Sequence, residues 1–266
     1  MNNILRIAGL SFTEGIRHKV IYGVTGFGLL MALITWIFTP FIGYDVGKVA
    51  IDFMLSSISI GCLMIIFFLC LPGLNNDIEE QGIYFILSSP VKRSEYILGK
   101  FLGYSLIIFV CLLILSIPAF LTIKVYTIKY SAYVPLQFTW GKLTLACFFK
   151  FFSSVIFLSV VFLIRNLMST GFLTSMTSII IYMISQNINA VKNITMASEK
   201  ITAFSKQLIS FVSWIFPNLS YFNLNTYASY GITLPKFYFA KILIYGLSYI
   251  IITIMFSIFL FKKREL

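Results

Sequence analysis

The chain has 266 residues, 59% of them hydrophobic and 11% charged, with a net charge of +11. Soluble domains carry about 25% charged residues, so a water-soluble fold is excluded: the polar surface is too small to cover this much apolar side chain. A basic balance also suits nucleic acid, but here Lys and Arg stand singly at the ends of apolar runs, which fits anionic headgroups and not a nucleic-acid partner.

Taken in order, residues 1–19 interleave Ile4, Leu5, Ile7, Ala8, Leu10, Phe12 and Ile16 with Arg6, Glu14, Arg17 and Lys19. The pattern predicts an amphipathic helix in the headgroup plane. No small-x-small cleavage site follows, so it does not read as a removed signal peptide. About 20 apolar residues cross a bilayer. Six runs reach that length: Val20–Thr39, Phe53–Gly73, Phe101–Ile123, Leu143–Ile164, Met168–Ile188 and Phe237–Phe261. The predicted fold class is therefore an all-α integral membrane protein, a single membrane domain over residues 1–266.

An even number of spans puts both termini on one side. Lys262, Lys263 and Arg264 abut the last run, which marks that side as cytoplasmic. Setting Lys150 aside, ten basic residues fall inside and nine outside. The count alone is neutral, but all five arginines fall inside, and four of the outer lysines share one long loop where the rule is weak. Cys62, Cys70, Cys111 and Cys147 lie within apolar runs without CxxC spacing and read as packing residues. His18 has no partner for metal or triad chemistry and reads as an interfacial polar residue.

Asn75–Lys100 is the one long polar interruption among the first three runs, with Asp77, Glu79, Glu80, Lys92, Arg93, Glu95 and Lys100 in 26 residues. Ile83, Tyr84, Phe85, Ile86 and Leu87 suit a short amphipathic helix. Ser89 can cap a second one with Pro90 in its first turn. Val91, Tyr96 and Ile97 would form that helix's apolar side, leaving Lys92, Arg93 and Glu95 for water or a partner. Residues 74–100 thus read as a cytoplasmic lever.

On the outer side, the connection over 189–236 is too long for a plain turn. Its apolar Leu208–Phe216 is too short to span and suits a re-entrant or interfacial helix, carrying Trp214 and ended by Pro217 and Asn218. Lys150 is the one charge expected inside a span. It either snorkels to the outer headgroups or meets an anionic substrate or lipid from a cavity.

No GxxxxGK[ST] sequence occurs, and the longest inner loop is far below domain size, so ATP hydrolysis on this chain is excluded. Gly23, Gly26 and Gly28, and the pair Gly99 and Gly103, read as close helix packing. Asp45 and Asp52 are placed just outside the second run. With no acid expected inside the bilayer, ion-coupled carriage and intramembrane proteolysis are disfavoured.

The lever resembles the cytoplasmic segment of type-2 ABC exporter permeases. Glu80, Gly82, Leu87, Ser88, Pro90, Val91, Arg93, Glu95, Gly99 and Lys100 fall in step with that family, whose Thr is Ile83 here. Phe216, Pro217, Asn218, Phe222 and Asn223 resemble its motif before the final span, and the terminal FKKREL resembles its endings. The subgroup serving copper-site maturation of nitrous oxide reductase looks nearest. Relatives often carry Gly-His where this chain has Gln186-Asn187, so no histidine role transfers.

The resemblance implies a multi-pass permease in the bacterial inner membrane. Its partners would be separate ABC ATPase subunits, a second copy or a sister permease, membrane lipids and a periplasmic accessory protein. It implies no cofactor on this chain, ATP and Mg being held by the ATPase. Glu79, Glu80, Tyr84, Phe85, Ser89, Pro90, Val91, Arg93 and Glu95 would dock the ATPase. The cargo would be hydrophobic or amphipathic, such as a lipid or lipopeptide. The alternative is a mechanical coupler that passes ATPase movement to a periplasmic protein without passing a solute.

Overall fold

The structure is a computed structural model that describes residues 2–42, 46–79, 92–129, 138–197, 202–232, 234–235 and 237–263. Its elements are α1 (Asn2–Arg17), α2 (Val20–Phe38), α3 (Val46–Ile65), α4 (Leu71–Glu79), α5 (Arg93–Lys129), α6 (Trp140–Leu167), α7 (Gly171–Ala197), α8 (Ala203–Ile215), α9 (Asn225–Tyr230) and α10 (Tyr238–Lys263). Short 3-10 turns cover Thr39–Ile42 and Leu219–Phe222. No strand occurs among the described residues, and the chain is an all-α integral membrane protein.

Five stretches are long and apolar enough to cross a membrane: Val20–Phe41, Val46–Asp77, Arg93–Lys129, Trp140–Leu167 and Tyr238–Lys263. The remaining expected span is α7, a helix of 27 residues. It falls outside the five because Thr174, Ser175, Thr177, Ser178, Ser185, Gln186 and Asn187 dilute its apolar residues. Thr174, Ser175 and Ser178 bond back to carbonyls one turn earlier, as Ser178 does to the Thr174 carbonyl over 2.7 Å, so much of the polar load is satisfied locally, while the buried Ser185 hydroxyl has no partner among the described residues.

The helices run up and down between two ends. At the lever end, the Asn75 amide donates to the Gly171 carbonyl (3.4 Å) and Arg93 reaches the end of α10. At the other end, the Tyr126 hydroxyl donates to the Thr35 and Trp36 carbonyls, at 3.2 and 3.1 Å. α6 is the most enclosed of the five apolar stretches and α2 the least. The reason is position: α6 packs on α3, α5, α7 and α10, whereas α2 packs on α3 and α5, leaving Leu29, Leu33 and Trp36 exposed.

The second span is one long rod bent by its sequence. α3 passes into α4 through a π-helical turn at Ile66–Cys70. Pro72 follows, and a proline ring clashes with the carbonyl four residues back. The wider π turn gives that carbonyl, on Phe68, the room it needs. This rod starts at Val46, seven residues before the predicted Phe53. Asp52 therefore lies within α3 and not in the connection before it, which corrects its expected place in the secondary structure. Lys100 and Arg165 are buried.

The expected amphipathic helix forms as α1, and its buried face is taken by α5. Asn3 bonds Glu95, Ile7 meets Gly99, Ala8 and Ser11 meet Gly103, and Ile107 meets Gly15. Both helices advance together, so α1 runs parallel to the first turns of α5. The approach is close because of glycine: a Cβ on Gly103 would lie 2.8 Å from the Ala8 carbonyl oxygen. Leu5 and Leu10 remain exposed on the far face. Gly28 is likewise a packing position, since a Cβ there would lie 2.6 Å from Leu115. Gly23 and Gly26 have nothing within 4 Å and do not share that role.

Candidate functional site

Two constellations hold the polar groups of the bundle, one at each end. At the lever end, α4 ends at Glu79 and α5 begins at Arg93, so these two helices are the roots of the lever. Lys100 is buried and ion-paired with Asp77, and the Tyr96 hydroxyl donates to the same carboxylate. This ties α4 to α5. Arg93 Nη1 donates to the Phe261 and Lys262 carbonyls, both at 3.2 Å. Those carbonyls are among the last four of α10, which lack intrahelical donors, so a cation there satisfies them and complements the helix dipole. The Tyr96 and Phe261 rings stack at 5.9 Å beside this contact. Glu95 accepts from the Lys92 amide (3.1 Å) and from Asn3 (3.3 Å), capping α5 and pinning α1.

The predicted second short helix is thus not a separate piece. Tyr96 and Ile97 are core residues in the first turn of a 37-residue helix that continues into the bundle. The reason is that the apolar pattern of Tyr96, Ile97, Phe101 and Tyr104 runs on without a break. Of the docking residues expected from the sequence, Arg93 and Glu95 have partners within the chain. Glu79 closes α4, while Glu80, Tyr84, Phe85, Ser89, Pro90 and Val91 lie outside the described residues.

At the opposite end, the segment after α7 folds back into the bundle. α8 packs antiparallel along α7 and ends at Ile215. The Tyr249 hydroxyl donates to the Ile215 carbonyl (3.2 Å), and the Asn218 amide donates to the Tyr245 hydroxyl (2.9 Å). Tyr249 lies eleven residues along α10 from Tyr238, about 16 Å at 1.5 Å per residue. The short helix expected over Leu208–Phe216 forms as α8, and its C-terminal end meets α10 partway along that helix. Backbone groups inside a bilayer need internal partners, and the two tyrosines supply them at the elbow. Pro217 and Asn218 are buried there, whereas Trp214 is 87% exposed.

Lys150 faces this elbow. Its ammonium donates to Asn223 Oδ1 over 2.9 Å, and its side chain is only 7% exposed. It is turned inward to a protein acceptor, away from the snorkelling geometry. The cleft around it is lined by Ser59, Ser153, Ser154, Tyr182, Gln186 and Asn223, among others, and has about 20 Å³ that a water can occupy. That is room for a single water and far too little for an amphiphile.

Next to it, α9 lies on α3 in a polar seam. Asn225 Nδ2 donates to Ser56 Oγ (3.1 Å). Asp52 and Ser229 sit one turn away on the same two faces, and the Lys150 charge acts on Asp52. Lys142 completes the attachment by donating to the Gly231 carbonyl (2.9 Å) and lying over the Tyr227 ring. Sequence reading named Asp52 and Asn223 without giving either a place in this site, and it missed Tyr245 and Tyr249. The Phe-Asn spacing after Pro217 was the available signal for Asn223; nothing local marks the tyrosines.

Among the described residues no group of three or more His, Cys, Asp and Glu side chains could hold a metal ion. The two constellations join helices to one another. Residues 60–266 match the family described as ABC-2 family transporter protein. A search of curated proteins finds no match to the chain.

Proposed function

The chain belongs to the ABC-2 transporter family, which makes it a membrane permease subunit of an ABC transporter, and from that premise we propose a mechanism for its lever. Separate ATPase subunits, holding ATP and Mg, dock on Glu80, Tyr84, Phe85, Ser89, Pro90 and Val91. Two copies of the chain, or one copy with a sister permease, work as a pair in a bacterial inner membrane with both termini cytoplasmic. ATP-driven closure moves the lever and shifts the helices between two packings.

The observation that carries this reading is the anchoring of both lever roots. Asp77 binds α4 to α5, and Arg93 binds α5 to the last turn of α10. Displacement of the lever therefore moves three helices together, α4, α5 and α10. Arg93 and Glu95 act as root residues in this reading, and Tyr84 and Phe85, which precede them in the sequence, as contacts. Interfaces concentrate binding energy in such aromatic anchors. The cargo is hydrophobic or amphipathic, and since the Lys150 cleft is too small to hold it, it passes along the outer faces or between copies.

The coupler reading is favoured by one observation: Lys150 and Lys142, both on α6, bond directly to Asn223 and to Gly231 after α9, so movement of α6 is delivered to the segment over 189–236. Reconstitution with the ATPase in liposomes separates the two. Stimulation of hydrolysis by an added amphiphile supports export; stimulation by a periplasmic protein alone supports coupling; no stimulation by either contradicts both.

A further inference from the structure

The hairpin of α7 and α8 encloses an apolar groove of about 400 Å³, walled by Met183, Ile188 and Val191 on α7 and by Leu208, Ile209 and Val212 on α8. Its position along the bundle follows from the cleft that Gln186 shares with Lys150. α6 and α7 run antiparallel, so Trp140, ten residues before Lys150, lies about 15 Å outward from that cleft, and Lys192, six residues after Gln186, about 9 Å outward. Trp settles at headgroup level. The groove therefore lies at acyl-chain depth, and Lys192 sits just below the headgroups, within reach by snorkelling.

Charge is arranged to match. Lys192 follows the groove on α7, one turn beyond Ile188. Lys206 precedes it on α8, three residues before Ile209, so both lie at the outward end. Neither ammonium group has a hydrogen-bond or ion-pair partner among the described residues. Between Gly171 and Ile232 the sequence holds one acid, Glu199, against Lys192, Lys200 and Lys206.

We propose that this groove is a binding site for an anionic phospholipid, with an acyl chain along Ile188, Leu208 and Val212 and the phosphate between Lys192 and Lys206. The site stands apart from the transport reading, since the groove binds lipid whether or not an ATPase drives the chain. A lysine near an anionic surface contributes about fivefold in affinity, so two lysines set a preference that a purely apolar groove lacks.

The test is native mass spectrometry of the full chain taken from micelles containing equal phosphatidylglycerol and phosphatidylethanolamine. The wild type is expected to retain phosphatidylglycerol at least fivefold over phosphatidylethanolamine. Lys192→Gln with Lys206→Gln should abolish the preference while the protein stays monodisperse, and Val212→Trp should fill the groove and reduce retention of both lipids. Equal retention of the two lipids by the wild type overturns the proposal. So does a preference that survives the double substitution, and so does a Val212→Trp variant that changes oligomeric state without losing lipid, which makes the groove a protein interface.

Discussion

Lys150 joins the middle of α6 to Asn223 of the elbow after α8 through a 2.9 Å hydrogen bond. A hydrogen bond to a charged group contributes about 1.5–3 kcal/mol, but burying the ammonium costs a comparable amount or more. Lys150→Met removes both, so global stability should move little while the elbow loosens. A cysteine at Ser220 is expected to react with a thiol reagent about tenfold faster in the Met variant. Asn223→Asp, which keeps an acceptor, should react as the wild type does. Equal rates in all three proteins would return Lys150 to a passive role.

The α1–α5 contact gives a second expectation. Gly99→Ala and Gly103→Ala each place a methyl against α1, 2.7 Å from Ile7 Cβ and 2.8 Å from the Ala8 oxygen respectively. Overpacking of this kind costs about 1–3 kcal/mol. Gly23→Ala and Gly26→Ala meet nothing and should be neutral or stabilising, because alanine favours helix by about 1 kcal/mol. Melting followed by size-exclusion chromatography in detergent measures all four. A loss of stability in the second pair equal to that in the first would refute the packing assignment.

At the lever root, Arg93→Ala should release the last carbonyls of α10. Hydrogen exchange of residues 259–263 is expected to speed up about tenfold, with α6 unchanged. Amphiphile-stimulated ATP hydrolysis should fall at least twofold, while Lys92→Ala leaves it intact. Arg93→Lys, a single point charge without the planar fork, should fall between them. Identical hydrolysis in Arg93→Ala and wild type would remove the arginine from the transmission path.

The dip of α8 predicts a depth for Trp214. With Trp36→Phe and Trp140→Phe in place, the remaining tryptophan is exposed beside Ile215, whose carbonyl meets Tyr249 well inside α10. Lipids brominated deep in the acyl chain should quench it more strongly than a quencher at the headgroup. The reverse order would place α8 on the surface.

Five of the six expected spans were legible because each is a long apolar run whose centre agrees with its helix, whereas the run Met168–Ile188 became the more polar α7, shifted toward its C-terminal side. The ends of the spans were not legible, since helix continues past the apolar stretch wherever the polar ends find partners: Asp77 and Lys100 carry α4 and α5 beyond their runs, and Val46–Asp52 extends α3. A short helix could be read from the nine apolar residues before Pro217. Its attachment could not, because that depends on Tyr245, Tyr249 and Asn223, which come together only through the fold. Arg93 looked like a free surface charge, since its acceptors, the Phe261 and Lys262 carbonyls, are backbone atoms 168 and 169 residues away.

The most direct measurement is binding of the purified ATPase to the purified chain. The wild type should bind it at one ATPase per permease, and Phe85→Ala should weaken binding about thirtyfold, the effect of losing a hot spot of about 2 kcal/mol. Lys92→Ala should change it less than fivefold, as a lone surface charge contributes about 0–1 kcal/mol. Full ATPase binding by Phe85→Ala together with Glu80→Ala, in variants that remain monodisperse, would contradict the assignment of residues 74–100 as the segment through which ATP hydrolysis drives this protein.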